Sequence, residues 1–191
     1  MDYLIYQLSA LDAISAPFNA LPDAEQEEAV RRGTKYAQIR TVLRQELSRR
    51  TGVRPESIVF NYSQHGKPVC ELHPFNISHS RDCLCLAFHH KDIGVDVEYM
   101  RPRPFASLAA RFMSQQQLQD FMTKQCPIED FYACWCAAEA LVKHAGDTMW
   151  HAQQYPFVLK QNKIECLFHN APVVELFSPM PGYRGAVAYS L

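Results

Sequence analysis

Apolar positions recur along the chain with two periods, and the switches between them mark out its elements. Met1 to Tyr6 reads as a first β-strand. Leu21-Pro22-Asp23 reads as a turn and helix start, opening a long helical region to about Arg50 in which Tyr36, Ile39, Leu43 and Leu47 share one face. Gly52 is a stop signal for that helix. Short strands are predicted at Ser57 to Asn61, Leu84 to Phe88 and Ile93 to Glu98, after which Arg101-Pro102-Arg103-Pro104 cannot continue a central strand and starts a linker. Ser114-Gln115-Gln116-Gln117 fits a capping box opening a short helix. Pro127 suits the first turn of the next helix and Gly146 its C-terminal cap, with Phe131, Trp135, Ala138, Val142 and Ala145 on an apolar stripe. Strand-like runs follow at Phe157 to Leu159, Ile164 to Phe168, Val173 to Phe177 and Gly185 to Ser190. The order predicts an α+β protein of two small subdomains of similar plan joined near residue 90, residues 1–91 and 92–191.

Composition narrows the function. The 191 residues are 48% hydrophobic, enough for a real core. A formal net charge of −1 and a pI near 6.7 give no global electrostatic case for nucleic acid. An acidic partner would need a local basic patch. The helical region supplies one in Arg31, Arg32, Lys35, Arg40, Arg44, Arg49 and Arg50, which otherwise reads as a solvated basic face. No stretch approaches the roughly 20 apolar residues of a membrane span, and Asp2 stands where a signal peptide needs basic residues. The seven cysteines include no CxxC pair, which points to reduced core thiols and a cytoplasmic setting.

Candidate chemistry gathers in two segments. In Ile93-Gly94-Val95-Asp96-Val97-Glu98, residues two apart share a strand face, so Ile93, Val95 and Val97 face the core while Gly94, Asp96 and Glu98 face a cleft. Carboxylates there suit magnesium, which takes one or two acids plus phosphate and water. The plain alternative is a polar edge-strand face. In Trp135-Cys136-Ala137-Ala138-Glu139-Ala140-Leu141-Val142-Lys143, Glu139 and Lys143 lie one helical turn apart, which alone is a common surface ion pair. Gly66-Lys67-Pro68 is a turn, or a fixed point charge for a phosphate. Phe75-Asn76-Ile77-Ser78-His79-Ser80 offers hydroxyls and an imidazole but no GxSxG elbow. The sequence contains neither GxxxxGK[ST] nor GxGxxG.

Taken in order, these segments, with Arg111-Phe112-Met113-Ser114, Gly146 and Pro181-Gly182-Tyr183…Ala186-Val187-Ala188, resemble a 4′-phosphopantetheinyl transferase of the Sfp type over roughly residues 35 to 190. The resemblance implies two pseudo-symmetric α/β halves with the active site in the cleft between them. It implies transfer of the 4′-phosphopantetheine arm of coenzyme A to a serine of an apo acyl or peptidyl carrier protein, releasing 3′,5′-ADP, by a monomer. Carried over, Asp96, Glu98 and Glu139 would hold Mg²⁺, with Mn²⁺ an alternative, and Glu139, directly or through a metal-bound water, would be the base for the carrier serine. Lys67, Ser78, His79 and Lys143 would contact phosphates, and Arg31, Arg32, Arg40 and Arg44 are candidates for the 3′-phosphate or for acidic carrier helices. One departure stands out: Ala138 occupies the position of a lysine in the family's Trp-x-x-Lys-Glu motif, so an impaired homologue that binds without efficient transfer is the alternative.

Overall fold

The computed structural model describes residues 1–11, 21–123 and 128–191. The expected helix start at Pro127 and the thiol of Cys126 lie outside the described residues. Strand β1 (Asp2–Gln7) leads into a short α1 (Leu8–Leu11). The long helix expected from Asp23 to about Arg50 is two helices, α2 (Asp23–Arg32) and α3 (Thr34–Thr51). They are separated by Gly33, whose φ of +87° takes it out of helical space. Gly52 ends α3. The strand expected at Ser57 to Asn61 is also displaced: Pro55–Ser57 forms a 3₁₀ turn, and pairing begins only at Asn61. A small hairpin, β2 (Asn61–Tyr62) and β3 (Pro68–Val69), is followed by β4 (Phe75–Ser80), β5 (Cys83–Phe88) and β6 (Ile93–Tyr99). Then come α4 (Phe105–Ala109), α5 (Gln115–Thr123) and α6 (Ile128–Ala145). A 3₁₀ turn at Met149–Gln154 precedes β7 (Phe157–Lys160), β8 (Lys163–Cys166), β9 (Val173–Phe177) and β10 (Tyr183–Tyr189).

The strands form two antiparallel three-stranded sheets, β1-β5-β4 and β6-β10-β9, plus the β2–β3 and β7–β8 hairpins. Side-chain alternation on β5 and β10 explains how the sheets are layered. Leu84, Leu86 and Phe88 of β5 pack with Ile39, Leu43 and Leu47 of α3. The alternate residues Cys83, Cys85 and Ala87 pack with Ile93, Val95 and Val97 of β6 and Val187 of β10. Ala186 and Ala188 of β10 then join the cluster built around α6. The order is helix, sheet, sheet, helix, an α+β arrangement with α3 against one sheet and α6 against the other.

The ends of two helices follow from local chemistry. Ser114 Oγ accepts the backbone N–H of Gln117 at 3.3 Å, and the Gln117 side-chain oxygen accepts the N–H of Ser114 at 2.8 Å, the reciprocal bonds of a capping box. At the C-terminus of α6, Gly146 N–H donates to Lys143 O (3.3 Å) and Asp147 N–H to Val142 O (3.0 Å). This is the double closure of a Schellman motif. It turns the chain back so that residues after Gly146 flank the end of the helix.

Candidate active site

Two crossings bring the site together. The first is β6 on α6. A β-carbon on Gly94 would lie 2.0 Å from the carbonyl oxygen of Ala140 and 2.4 Å from the nitrogen of His144, so only glycine allows this approach. Two residues on, Asp96 lies beside Lys143: Lys143 Nζ donates to Asp96 Oδ1 at 2.7 Å and to Val95 O at 3.2 Å, and is 3.9 Å from Glu139 Oε2.

The second crossing is β4 on β6, and it is made by side chains. Asn76 Oδ1 accepts the N–H of Val95 (2.8 Å), Ser78 Oγ that of Val97 (3.1 Å) and Ser80 Oγ that of Tyr99 (3.1 Å). The two hydroxyls then donate onward, Ser78 to Asp96 Oδ1 and Ser80 to Glu98 Oε2, both at 2.8 Å. A polar ladder at every second residue of β4 therefore joins the sheets and orients both acids. Sequence reading singled out Ser78 as a phosphate contact but missed Asn76 and Ser80 as orienting groups. Their signal was the two-residue spacing of the polar positions 76, 78 and 80 along one strand.

Strand alternation places His79 on the opposite side from Ser78. His79 faces a cavity of about 640 Å³ enclosed by the start of α3, the outer side of β4, the β2–β3 hairpin and the end of α6. Arg32, Lys35, Arg40, Lys67 and Lys143 line it, with Glu139 at its acid end. Ser78, Asp96 and Glu98 sit behind this wall, and Arg31 and Arg44 are outside it. Arg31 is exposed and paired with Glu28. Arg40 and Arg44 do not belong to a solvated basic face: both are 4% exposed and both are paired with Glu25. Lys67 reaches across the cavity, where its ammonium donates to Lys143 O at 2.7 Å and Ile93 O at 3.3 Å.

Electrostatics follow from this crowding. Burial pushes the Glu139 carboxyl up; Lys143 opposes the shift, and Asp96 and Glu98 reinforce it. Burial also raises Glu98, with the Ser80 hydrogen bond opposing and Asp96 adding to the rise. Burial alone would lower Lys143, but Asp96 and Glu139 outweigh it and hold the ammonium charged. Burial lowers His79, and Lys35, Lys143 and Arg32 push it the same way, so its imidazole is neutral at pH 7. The thiol of Cys136 is driven far up by burial and by Asp96, which keeps it protonated and unreactive. Cys70, Cys83, Cys85 and Cys166 are likewise unpaired thiols.

The rim of the cavity carries a different kind of acid. Asp147 accepts the N–H of Thr148 (2.7 Å) and the hydroxyl of Tyr155 (2.8 Å), and Nδ1 of His151 lies 2.8 Å away. His151 first, then Thr148 and Tyr155, hold its carboxyl down at about 2 against an ordinary 3.8. A depressed pKa means the unfolded chain binds more protons across that interval, so Asp147 stabilises the fold above about 3.8 and stops doing so as pH falls through about 2. Asp147→Asn is therefore expected to flatten the dependence of the melting temperature on pH between those values. An unchanged acid slope would show that these bonds do not persist in solution.

Ala138 is 2% exposed and packs in the α6 core cluster, away from the cavity lining. Among the described residues no three acids, histidines or cysteines are preformed as a metal cage. No helix of the described residues is long and apolar enough to cross a membrane.

Comparison with known proteins covers part of the chain that builds this site. The profile of the 4′-phosphopantetheinyl transferase superfamily matches residues 92–178, which include Asp96, Glu98, Glu139 and Lys143. The chain is 30% identical over 154 residues to the 4′-phosphopantetheinyl transferase HetI of Nostoc sp., covering 74% of this chain and 64% of that one. It is 31% identical over 156 residues to the 4′-phosphopantetheinyl transferase Sfp of Bacillus subtilis, covering 76% of this chain and 69% of that one. The crystal structure of Thermotoga maritima holo-[acyl-carrier-protein] synthase aligns with 51% of this chain and 61% of its own at a TM-score of 0.42 and 18% identity. The chain spans about 64% and 60% of the length of HetI and of the Bacillus pumilus transferase psf-1. With Sfp matched over more than two thirds of its length, the chain belongs to the 4′-phosphopantetheinyl transferase superfamily.

Proposed function

We propose that the protein transfers the 4′-phosphopantetheine arm of coenzyme A to a serine of an apo acyl or peptidyl carrier protein. The observation that carries this reading is the junction of two environments: a basic cavity of about 640 Å³ whose inner end is Glu139 and Lys143, with Asp96 paired to Lys143 behind the wall. The cavity falls within the usual size range of a small-molecule site, roughly 300–1,000 Å³. Its cations suit a ligand bearing several phosphates. Lys67, His79 and Lys143 would face the pyrophosphate, with Arg32 and Arg40 further along the wall. Ser78 acts behind them by orienting Asp96.

Glu139, raised by burial, is suited to take the proton of the carrier serine. The serine oxygen then bonds to the phosphorus that carries pantetheine. The bond from that phosphorus to the bridging pyrophosphate oxygen breaks, and the electron pair leaves with 3′,5′-ADP. Lys143 stays charged beside the reacting phosphates and offsets the negative charge that builds there.

The donor chemistry of the acids suits a divalent cation, although no three of them are preformed as a cage among the described residues. Asp96 Oδ2 is buried without a hydrogen-bond partner among the described residues, and Glu98 and Glu139 are raised partly by negative neighbours. Hard oxygen donors of this kind suit Mg²⁺ or Mn²⁺ held jointly with substrate phosphate. Asp96, Glu98 and Glu139 would hold the ion, and its chemistry there is neutralisation of charge on the phosphate oxygens.

Residues 1–91 and 92–191 would act as two halves of one enzyme, a reading supported by a cavity that takes walls from both, and the monomer is the state the resemblance implies. The unpaired thiols support a cytoplasmic setting. The test is release of 3′,5′-ADP from coenzyme A and Mg²⁺, with and without an apo carrier protein. Release only with the carrier supports transfer. Release without it indicates a phosphohydrolase, and binding of coenzyme A with no release indicates the impaired homologue that Ala138 suggested.

A further inference from the structure

We propose that Glu25 is a positioning residue for the cavity's anion site, a reading that rests on the cavity being the coenzyme A site. Glu25 lies on α2 and does not line the cavity. It is 8% exposed, and its carboxylate faces two guanidinium groups that are each 4% exposed. Arg40 Nε donates to Glu25 Oε1 at 2.8 Å, with a second bond from Arg40 Nη2 to the same oxygen. Arg44 Nε donates to Glu25 Oε2 at 2.7 Å.

The two arginines differ in what else they touch. Arg44 Nη1 donates to the carbonyls of Pro55 (2.6 Å) and Ile58 (2.8 Å), so its group is enclosed by protein acceptors. Both lie over the Phe60 ring, Arg40 at 4.1 Å and Arg44 at 4.9 Å from its centre, but of the two Arg40 alone forms part of the cavity wall. Two cations against one carboxylate leave one positive charge in excess, and no second acid pairs with either arginine among the described residues. An excess buried charge is unfavourable until an anion reaches it. Arg44 is sealed, so the place where an anion can meet that charge is Arg40.

Glu25 thus does two things from behind the wall. It fixes the Arg40 plane through Nε and Nη2, the latter also donating to the Tyr62 hydroxyl at 3.5 Å, and leaves Nη1 for a phosphate. It also ties α2 to α3, so that the cavity wall is set before ligand arrives. Preorganisation of this kind acts on affinity.

The test is calorimetric titration of coenzyme A into the wild type, Glu25→Gln, Arg40→Met and the double variant, with inorganic pyrophosphate as a parallel probe. Glu25→Gln keeps the shape and an acceptor oxygen but lacks the charge that holds two guanidiniums; its added net positive charge alone would favour an anion, so a loss of affinity reports the lost positioning. It is expected to weaken binding about tenfold, in the range of one charge-assisted contact. Arg40→Met should weaken it comparably, and the double variant should be no weaker than Arg40→Met alone, because Glu25 acts through Arg40. In turnover, the loss should fall on KM with kcat nearly unchanged. Wild-type affinity in Glu25→Gln, or fully additive losses in the double variant, would overturn the proposal. If Glu25→Gln does not fold, Arg40→Lys decides: it keeps the charge but not the fork, and should also bind about tenfold more weakly, whereas wild-type affinity would overturn the proposal. A wild type that binds pyrophosphate but not coenzyme A would remove the coenzyme reading, and the Glu25 comparison is then read with pyrophosphate.

Discussion

Glu139→Gln is expected to lower kcat by about 10²- to 10⁴-fold, the usual contribution of a positioned general base, while leaving the fold intact. Glutamine matches the shape of glutamate and can still accept hydrogen bonds, but it cannot take the serine proton at neutral pH. The structural loss is small: the side chain's contact with Lys143 is a 3.9 Å pair on a partly exposed helix face. Such pairs contribute little to stability. Burial and the neighbouring acids raise Glu139, and this is what makes it a useful base in a carboxylate-rich site. The variant should therefore melt within a few degrees of the wild type and still bind coenzyme A. A kcat within twofold of wild type would remove Glu139 from the base role. A collapsed melting temperature would instead assign it to the fold.

Gly94→Ala is expected to be the most destabilising single methyl in the chain. The added carbon would meet the backbone of α6 at two atoms, Ala140 O at 2.0 Å and His144 N at 2.4 Å, and neither can rotate away. Either β6 or α6 must shift. Overpacking usually costs about 1–3 kcal/mol and more where the neighbours are rigid; we expect at least about 3 kcal/mol here, a fall in melting temperature of roughly 6–12 °C for a domain of this size. Any protein that still folds should have lost activity as well, because the same crossing sets Asp96 against Lys143. Denaturant unfolding and turnover of the purified variant check both points. A melting temperature within 2 °C of wild type would show that the crossing is looser than the distances indicate.

The features most legible in the sequence were those whose partners lie close along the chain. The Ser114–Gln117 capping box, the Gly146 helix end and the i, i+4 relation of Glu139 and Lys143 are all set within one or two helical turns. The two-residue alternation of β6 read correctly for Ile93, Val95 and Val97, which enter the core, but Gly94 and Asp96, expected to face a cleft, are buried, Gly94 against the α6 backbone and Asp96 beside Lys143. Gly33 was read through as part of a helix, because an isolated glycine in a helical pattern is a weak signal beside the positions that surround it. The strand expected at Ser57 to Asn61 gave way to a 3₁₀ turn begun by Pro55. The partners of Arg40 and Arg44 are 15 and 19 residues away on another helix, so the sequence offered no reason to bury them. Lys67 is similar: its acceptors, the carbonyls of Ile93 and Lys143, are backbone atoms that every residue carries, and no residue pattern announces them.

The central claim is that the Asp96–Glu139–Lys143 cluster and the basic cavity beside it serve phosphopantetheine transfer. Intact-mass analysis of a panel of apo acyl and peptidyl carrier proteins, incubated with the protein, coenzyme A and Mg²⁺, tests it most directly. The account predicts a gain of about 340 Da, the mass of the arm carried by the cofactor, on at least one carrier, confined to its serine and absent with Glu139→Gln. Coenzyme A binding with no mass gain on any carrier, or a gain that persists undiminished with Glu139→Gln, would contradict it.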